Sequence, residues 1–199
     1  MARNQTSYLI LGALSIEPNL SGYDIRKGIE SSVSYFWHES YGQIYPTLKR
    51  LAAEGLIVAS KPGSATRKGR QEYSLTEAGR ACLREWLAVP FRNDPPRNEF
   101  LLKLFFGREA APSVSIAHVE ELQRRNQRML DTLLGFETMA RTQASQNPHQ
   151  PFWMLTISLG IALTRAALEW GESALAQLSS MEAAAAPKPG ARIRKPRGK

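Results

Sequence analysis

Cysteine occurs once in 199 residues, at Cys82, so no intrachain disulfide can form and a reducing compartment fits. Between Ala81 and Leu83 in a helical stretch, that thiol reads as a small core filler, with a redox switch the lesser alternative. Histidine is nearly as scarce. His38, His118 and His149 are scattered, and His118 with Glu121 lacks the second histidine of a helical zinc motif. There is no P-loop, no dinucleotide fingerprint and no nucleophile elbow. No catalysis, metal or cofactor is expected, and His38 with Glu39 reads as a loop pair rather than an acid–base dyad. The N-terminus lacks the charged region and cleavage site of a signal peptide, so the chain is expected in the cytoplasm. The uncharged apolar run 150–164 has fifteen residues, against the roughly 20 of a membrane helix. Thr156, Ser158 and Gly160 interrupt it, and Arg165, Glu169 and Glu172 follow. It reads as a buried helix between protomers, with no membrane partner.

What the chain does carry is positive charge, unevenly spread. The formal net charge is +8. Residues 1–80 contribute +3, residues 81–186 contribute −1, and residues 187–199 contribute +6. A basic N-terminal half beside a neutral middle separates a nucleic-acid surface from a dimerisation body. The tail, 183–199, mixes Pro187, Pro189, Gly190 and Pro196 with basic residues and is expected to be disordered. Non-specific phosphate binding is a secondary role open to it.

The most informative stretch is 40–75. Ser40 and Gln43 have the spacing of a capping box, and Ile44, Leu48 and Leu51 share one helical face. The opposite face carries Gly42, Pro46, Lys49 and Ala53, flanked by Gln43 and Arg50, without a carboxylate. Pro46 is expected to remove one intrahelical bond and bend the first turns. Taken alone, this helix fits a groove-facing surface and a merely solvated basic face about equally. The hairpin behind it tips the balance. Gly55 closes the helix, and Leu56, Ile57, Val58 and Ala59 form an apolar run. The turn 61–70 then holds Lys61, Arg67, Lys68 and Arg70 and no acid. Arg67, Lys68 and Arg70 crowd around Gly69, and such repulsion makes most sense opposite a polyanion. In the return, Tyr73 and Leu75 alternate with Glu72 and Ser74. Helix, basic hairpin, helix suits a duplex: the helix enters the major groove while the hairpin meets phosphates.

Around this segment, helices are expected over about 5–15, about 21–31 with Ser21 and Asp24 at its start, and about 76–88. Asn93, Asp94, Pro95 and Pro96 mark a boundary, giving domains 1–92 and 93–182. A short helix, 99–106, precedes a long one from about 115 to 142, striped by Ile116, Val119, Leu122, Met129, Leu130, Leu133 and Phe136. The break 147–151 ends with Pro151 opening a last helix that runs to about 181. On that helix Phe152, Leu155, Leu159, Leu163, Ala166 and Trp170 form one stripe, while Met154, Ile157, Ile161, Ala162 and Leu168 cover much of the rest. An antiparallel pair is too thin to bury both faces, so a homodimer is expected. Leu122, Met129, Leu133, Phe152, Leu155, Leu159, Leu163 and Trp170 are its expected contacts.

The run Gly42 to Leu48, continued by Leu51, Gly55, Leu56 and Ile57, resembles the signature of PadR-type transcriptional regulators. The resemblance extends back through Gly22, Tyr23, Asp24 and Ile25 to the segment 9–14, and forward through Tyr73 to Arg80. Residues 99–106 resemble the segment joining the two parts of the longer PadR subgroup, so about 6–178 are covered. The resemblance implies a winged helix-turn-helix repressor, dimerised by C-terminal helices and often released by a small effector. It also allows a phenolic or other planar ligand. Trp37, His38, Phe91, Phe105, Phe106, Phe152, Trp153 and Trp170 could line such a pocket, although each alone reads as core or interface.

The expected architecture is therefore mainly α with a small β-hairpin wing, an N-terminal winged helix-turn-helix before a C-terminal helical dimerisation domain. Gln43, Thr47, Lys49 and Arg50 are expected to read or position on operator DNA in the major groove. Tyr45 is expected at the edge of that face, on a phosphate or against the wing. Lys61, Arg67, Lys68 and Arg70 are expected on phosphates or in the minor groove. Two other classes fit less well: a non-specific architectural DNA binder, and a winged-helix adaptor for protein partners. The capped polar helix counts against the first and the basic turn against the second.

Overall fold

The computed structural model describes residues 4–37, 41–60, 70–91, 97–142 and 146–185. They fall into two compact units, Met1–Asp94 and Pro95–Lys199. The expected boundary residues Asn93 to Pro96 lie outside the described residues.

In the first unit, α1 (Gln5–Ile16) starts where the Asn4 side chain accepts the Thr6 amide, and it buries Ile10, Leu11 and Leu14. A two-residue strand, β1 (Leu20–Ser21), leads directly into α2 (Gly22–Ser32). The expected cap of α2 is present in both directions. The Asp24 amide donates to Ser21 Oγ at 3.3 Å and the Ser21 amide to Asp24 Oδ2 at 3.1 Å. Helix α3 (Ile44–Ala53) buries Ile44, Leu48 and Leu51, as their spacing requires. Gly55 sits at φ 70°, a left-handed conformation that ends the helix without the penalty of a side chain. Then come β2 (Ile57–Ala59), β3 (Glu72–Leu75) and α4 (Glu77–Ala88), the last capped by Thr76.

The sheet has three strands rather than the two of a simple hairpin. Its order is β1-β3-β2, all antiparallel, with Leu20 opposite Tyr73 and Ile57 opposite Leu75. A two-residue strand is too short to carry a periodic signal, which is why sequence pattern gives no hint of β1. Asn19, at φ 61°, locks it in place: Ser74 Oγ donates to Asn19 Oδ1 at 2.7 Å. Tyr73 and Leu75 pack on the core formed by α1–α4 and β2, although all four residues of β3 are half-buried, so burial itself does not alternate along the strand.

In the second unit, α5 (Glu99–Phe105) precedes α6 (Pro112–Thr142) and α7 (Gln150–Ala185). The two long helices run antiparallel, with Gln123 Nε2 donating to the Leu168 carbonyl at 3.4 Å. Val119 and Leu133 on α6, with Ile157, Ile161 and Thr164 on α7, are buried between them. Helix α6 begins at Pro112 rather than near 115, because proline suits a first turn whose amides lack helical partners. Helix α7 runs to Ala185, into the segment expected to be tail, because an alanine run extends a helix at little cost. The rest of the expected tail lies outside the described residues.

Leu133 requires a correction. It is fully buried within its own chain, so it serves the α6–α7 core and has no surface left for a partner.

Candidate nucleic-acid interface

Helix α3 divides into an inner and an outer face at helical period. Ile44, Thr47, Leu48 and Leu51 point inward. Gly42, Gln43, Tyr45, Pro46, Lys49, Arg50 and Ala53 are exposed or half-exposed. The helix itself contains no carboxylate, so its outer face offers amide, phenol, ammonium and guanidinium groups to whatever approaches it. Thr47 is the exception among the expected readers. At 1 % exposure its side chain belongs to the core, because position 47 lies beside Leu51 at one edge of the arc and the docked helix buries that edge too. It cannot reach a base edge.

The start of α3 also differs from expectation. Tyr41–Gln43 form a 3₁₀ turn, and Gln43 occupies the cap position itself without a side-chain cap bond. It is therefore not the third residue of a capping box, and Ser40 lies outside the described residues. This shift moves Pro46 to the third helical position. Amides in a first turn have no intrahelical acceptor, so the proline sacrifices no helical bond there.

Two of the exposed residues are held by neighbours. Arg50 Nη2 donates to Ser7 Oγ on α1 at 3.0 Å, and its Nε lies 4.0 Å from Glu54 Oε1. The Tyr45 ring lies over Gly22 at the start of α2, where a Cβ would come within 2.7 Å of Tyr45 Cε1. Glycine at 22 is what lets the ring lie there.

At the base of the wing, Arg70 is described and exposed, and its Cζ sits 4.4 Å from the centroid of the Tyr23 ring. Lys61, Arg67 and Lys68 lie outside the described residues. Position 23 is a residue that side-chain type and spacing did not single out as a site. No sequence signal could have found it, because the contact depends on the β1–β3 pairing nearby and β1 is too short to carry a pattern.

The second unit holds the remaining expected residues. Phe152, Leu155, Leu159 and Leu163 recur along one side of α7 and are 61–68 % exposed, whereas Leu122 on α6 is half-buried, as is Met129. Trp170 meets Phe100 of α5 edge-on, with centroids 5.9 Å apart. Of the aromatic candidates for a ligand pocket, Phe105 contacts Phe106 edge-on, and Phe91, Phe105, Phe106 and Phe152 are all exposed. His38 lies outside the described residues.

Among the described residues, two carboxylates of the second unit are perturbed. Hydrogen bonds from Arg125 and Arg124 hold Glu121 below its ordinary range, and a hydrogen bond from Lys103 does the same for Glu99. Among the described residues no group of three His, Cys, Asp or Glu side chains could hold a metal.

Comparison with known proteins covers most of the chain. Residues 10–85 match the transcriptional regulator PadR-like family, and residues 96–179 match the virulence activator alpha C-terminal family. The negative transcriptional regulator PadR of Bacillus subtilis is 30 % identical over 86 % of this chain and 96 % of its own length. Its crystal structure in complex with operator DNA superposes with a TM-score of 0.74 at 26 % identity, covering 88 % of this chain and 99 % of that one. A structure of the same protein with p-coumaric acid gives 0.71 at the same identity and coverage. The Vibrio cholerae virulence activator AphA gives 0.70 at 26 % identity, over 88 % and 99 % of the two chains.

Proposed function

Since the chain belongs to the PadR-like family of transcriptional regulators, we propose that it is a homodimeric repressor that binds a specific operator and is released by a small effector. The observation that carries this reading is the outer face of α3, where Gln43, Lys49 and Arg50 stand exposed with no carboxylate in the helix. Amide and guanidinium groups can make paired hydrogen bonds to purine edges, and lysine adds phosphate attraction. Lys61, Arg67, Lys68 and Arg70 are assigned to the DNA backbone or minor groove. The basic tail adds sequence-independent affinity.

The exposed stripe of α7, Phe152, Leu155, Leu159 and Leu163, supports the dimer, since a soluble chain gains by covering it with a second copy. Leu122, Met129 and Trp170 flank it in this assignment. By length and composition α7 could also cross a membrane. Dimerisation is the better reading because Arg165 and Glu169 are exposed near the middle of the helix, where hydrocarbon would be costly. The protein is accordingly assigned to the cytoplasm.

Effector release draws on the p-coumaric acid complex of the Bacillus subtilis relative. A small planar acid or phenol is the class of ligand assigned here.

Fluorescence anisotropy on the gene's own upstream duplex and on a scrambled one, at low and physiological salt, tests the reading. Binding to the upstream duplex that survives salt, with the scramble lost, is expected. Equal and salt-sensitive binding to both would favour a non-specific architectural protein, and no binding at either salt an adaptor.

A further inference from the structure

The first turn of α2 bridges the reading helix and the wing. The antiparallel register pairs Leu20 with Tyr73 and Ser21 with Glu72; just past that pairing lie Tyr23, in the first turn of α2, and Arg70, two residues before β3. The side chains meet there, with the guanidinium carbon 4.4 Å from the ring centroid. Tyr23 is 44 % exposed, so the pair lies on the surface rather than in the core. One residue earlier, Gly22 receives the ring of Tyr45 from α3. Tyr45, Gly22, Tyr23 and Arg70 therefore form one continuous line from the start of α3 to the base of the wing.

We infer that Tyr23 is a positioning residue for DNA binding: its ring holds Arg70 by the guanidinium face and leaves the N–H edge for a backbone phosphate. The inference rests on the regulator reading. Stacking uses the flat face of arginine, whereas hydrogen bonding uses its edge, so the two do not compete. Among the described residues no carboxylate forms an ion pair with Arg70, so none of them neutralises its charge. The capping box explains why the arginine is needed at this point. Asp24 already places a carboxylate at the start of α2, so that helix end is a poor host for a phosphate. Arg70, held over the neighbouring residue, supplies a cation beside it. An arginine pre-placed in this way loses less side-chain freedom on binding than one swinging freely.

The test uses the full-length protein and the two duplexes above, with Y23F, Y23A, Y23L, R70A and the double variant Y23A/R70A. Thermal denaturation is run on each. Y23F keeps the ring and should bind within about twofold of the parent. Y23A and Y23L should each lose roughly two- to fivefold in affinity with Tm unchanged. R70A should lose more and reduce the salt slope by about 0.9, the value of one phosphate contact. The double variant should bind like R70A, because the tyrosine acts only through the arginine. Losses that multiply in the double variant would overturn the inference. So would a Y23F as weak as Y23A, which would assign the effect to the hydroxyl, or a Y23A indistinguishable from the parent. A parent protein that binds neither duplex overturns the regulator reading and this inference together, whereas the other failures leave that reading standing.

Discussion

Arg50 on α3 donates from Nη2 to Ser7 Oγ on α1 at 3.0 Å, so a residue on the outer face of the helix also fastens it to the core beneath. Ser7 is fully buried, and its partner is half-exposed. The Glu54 carboxylate at 4.0 Å is too distant and too solvated to neutralise the guanidinium strongly. Under the proposed assignment of Arg50 to DNA, one side chain links fold stability with readout.

Arg50→Ala should therefore weaken both properties. Loss of the hydrogen bond leaves the Ser7 hydroxyl buried with one partner fewer, worth about 1 kcal/mol in chemical denaturation. Operator affinity should fall in parallel. An R50A protein with parental stability would show that the Ser7 contact contributes nothing.

The outer and inner faces of α3 should respond differently. Gln43→Ala is expected to weaken the operator selectively, and Lys68→Ala to weaken all duplexes alike. Thr47→Ala, at a buried position, should lower stability while the ratio of operator to random affinity stays put. Anisotropy titrations on both duplexes, with denaturation curves beside them, separate the three. A Thr47→Ala protein that lost sequence preference at full stability would return that residue to the interface.

Gly79→Ala should be among the more damaging single-carbon additions. A Cβ there would stand 2.0 Å from the Leu56 carbonyl oxygen and 2.8 Å from Leu75 Cδ1, so α4 would have to move off the sheet. Overpacking of this kind costs about 1–3 kcal/mol. The same carbonyl accepts from the Thr76 amide and hydroxyl at 3.1 and 2.9 Å, which gives it little room to yield. Tm by circular dichroism is the readout, and an unchanged value would refute the tight contact of α4 with the residue that leads into β2.

The second unit offers a matched pair of substitutions. Leu133→Ala removes a fully buried side chain and should cost about 2–5 kcal/mol whatever the oligomeric state. Leu159→Glu alters a side chain 61 % exposed on its own chain, so the fold should persist while the proposed dimer dissociates. Sedimentation velocity checks this. A Leu159→Glu protein that remains dimeric would move the interface off the stripe of α7.

Much of this protein was legible as pattern. The Ser21–Asp24 box, the helix start near 76 and the Gly55 stop are local chemistry, and each is in place. The stripe from Ile116 to Phe136 and the buried arc Ile44, Leu48 and Leu51 are periodicity, which depends only on helix geometry. What tertiary structure alone decided has a different physical origin. A helical wheel assigns faces but not how far the buried arc extends, so Thr47 became core only once α3 was docked. Where α3 begins was settled by a 3₁₀ turn rather than by the Ser40–Gln43 spacing, and that shift is what made Pro46 harmless. The strand Leu20–Ser21 is too short to announce itself, and it exists because β3 offers an edge to pair with. Through that pairing Tyr23 meets Arg70, a contact between distant positions that no local rule contains. Sequence periodicity determined which surfaces had to be buried; long-range packing determined which neighbours did the burying.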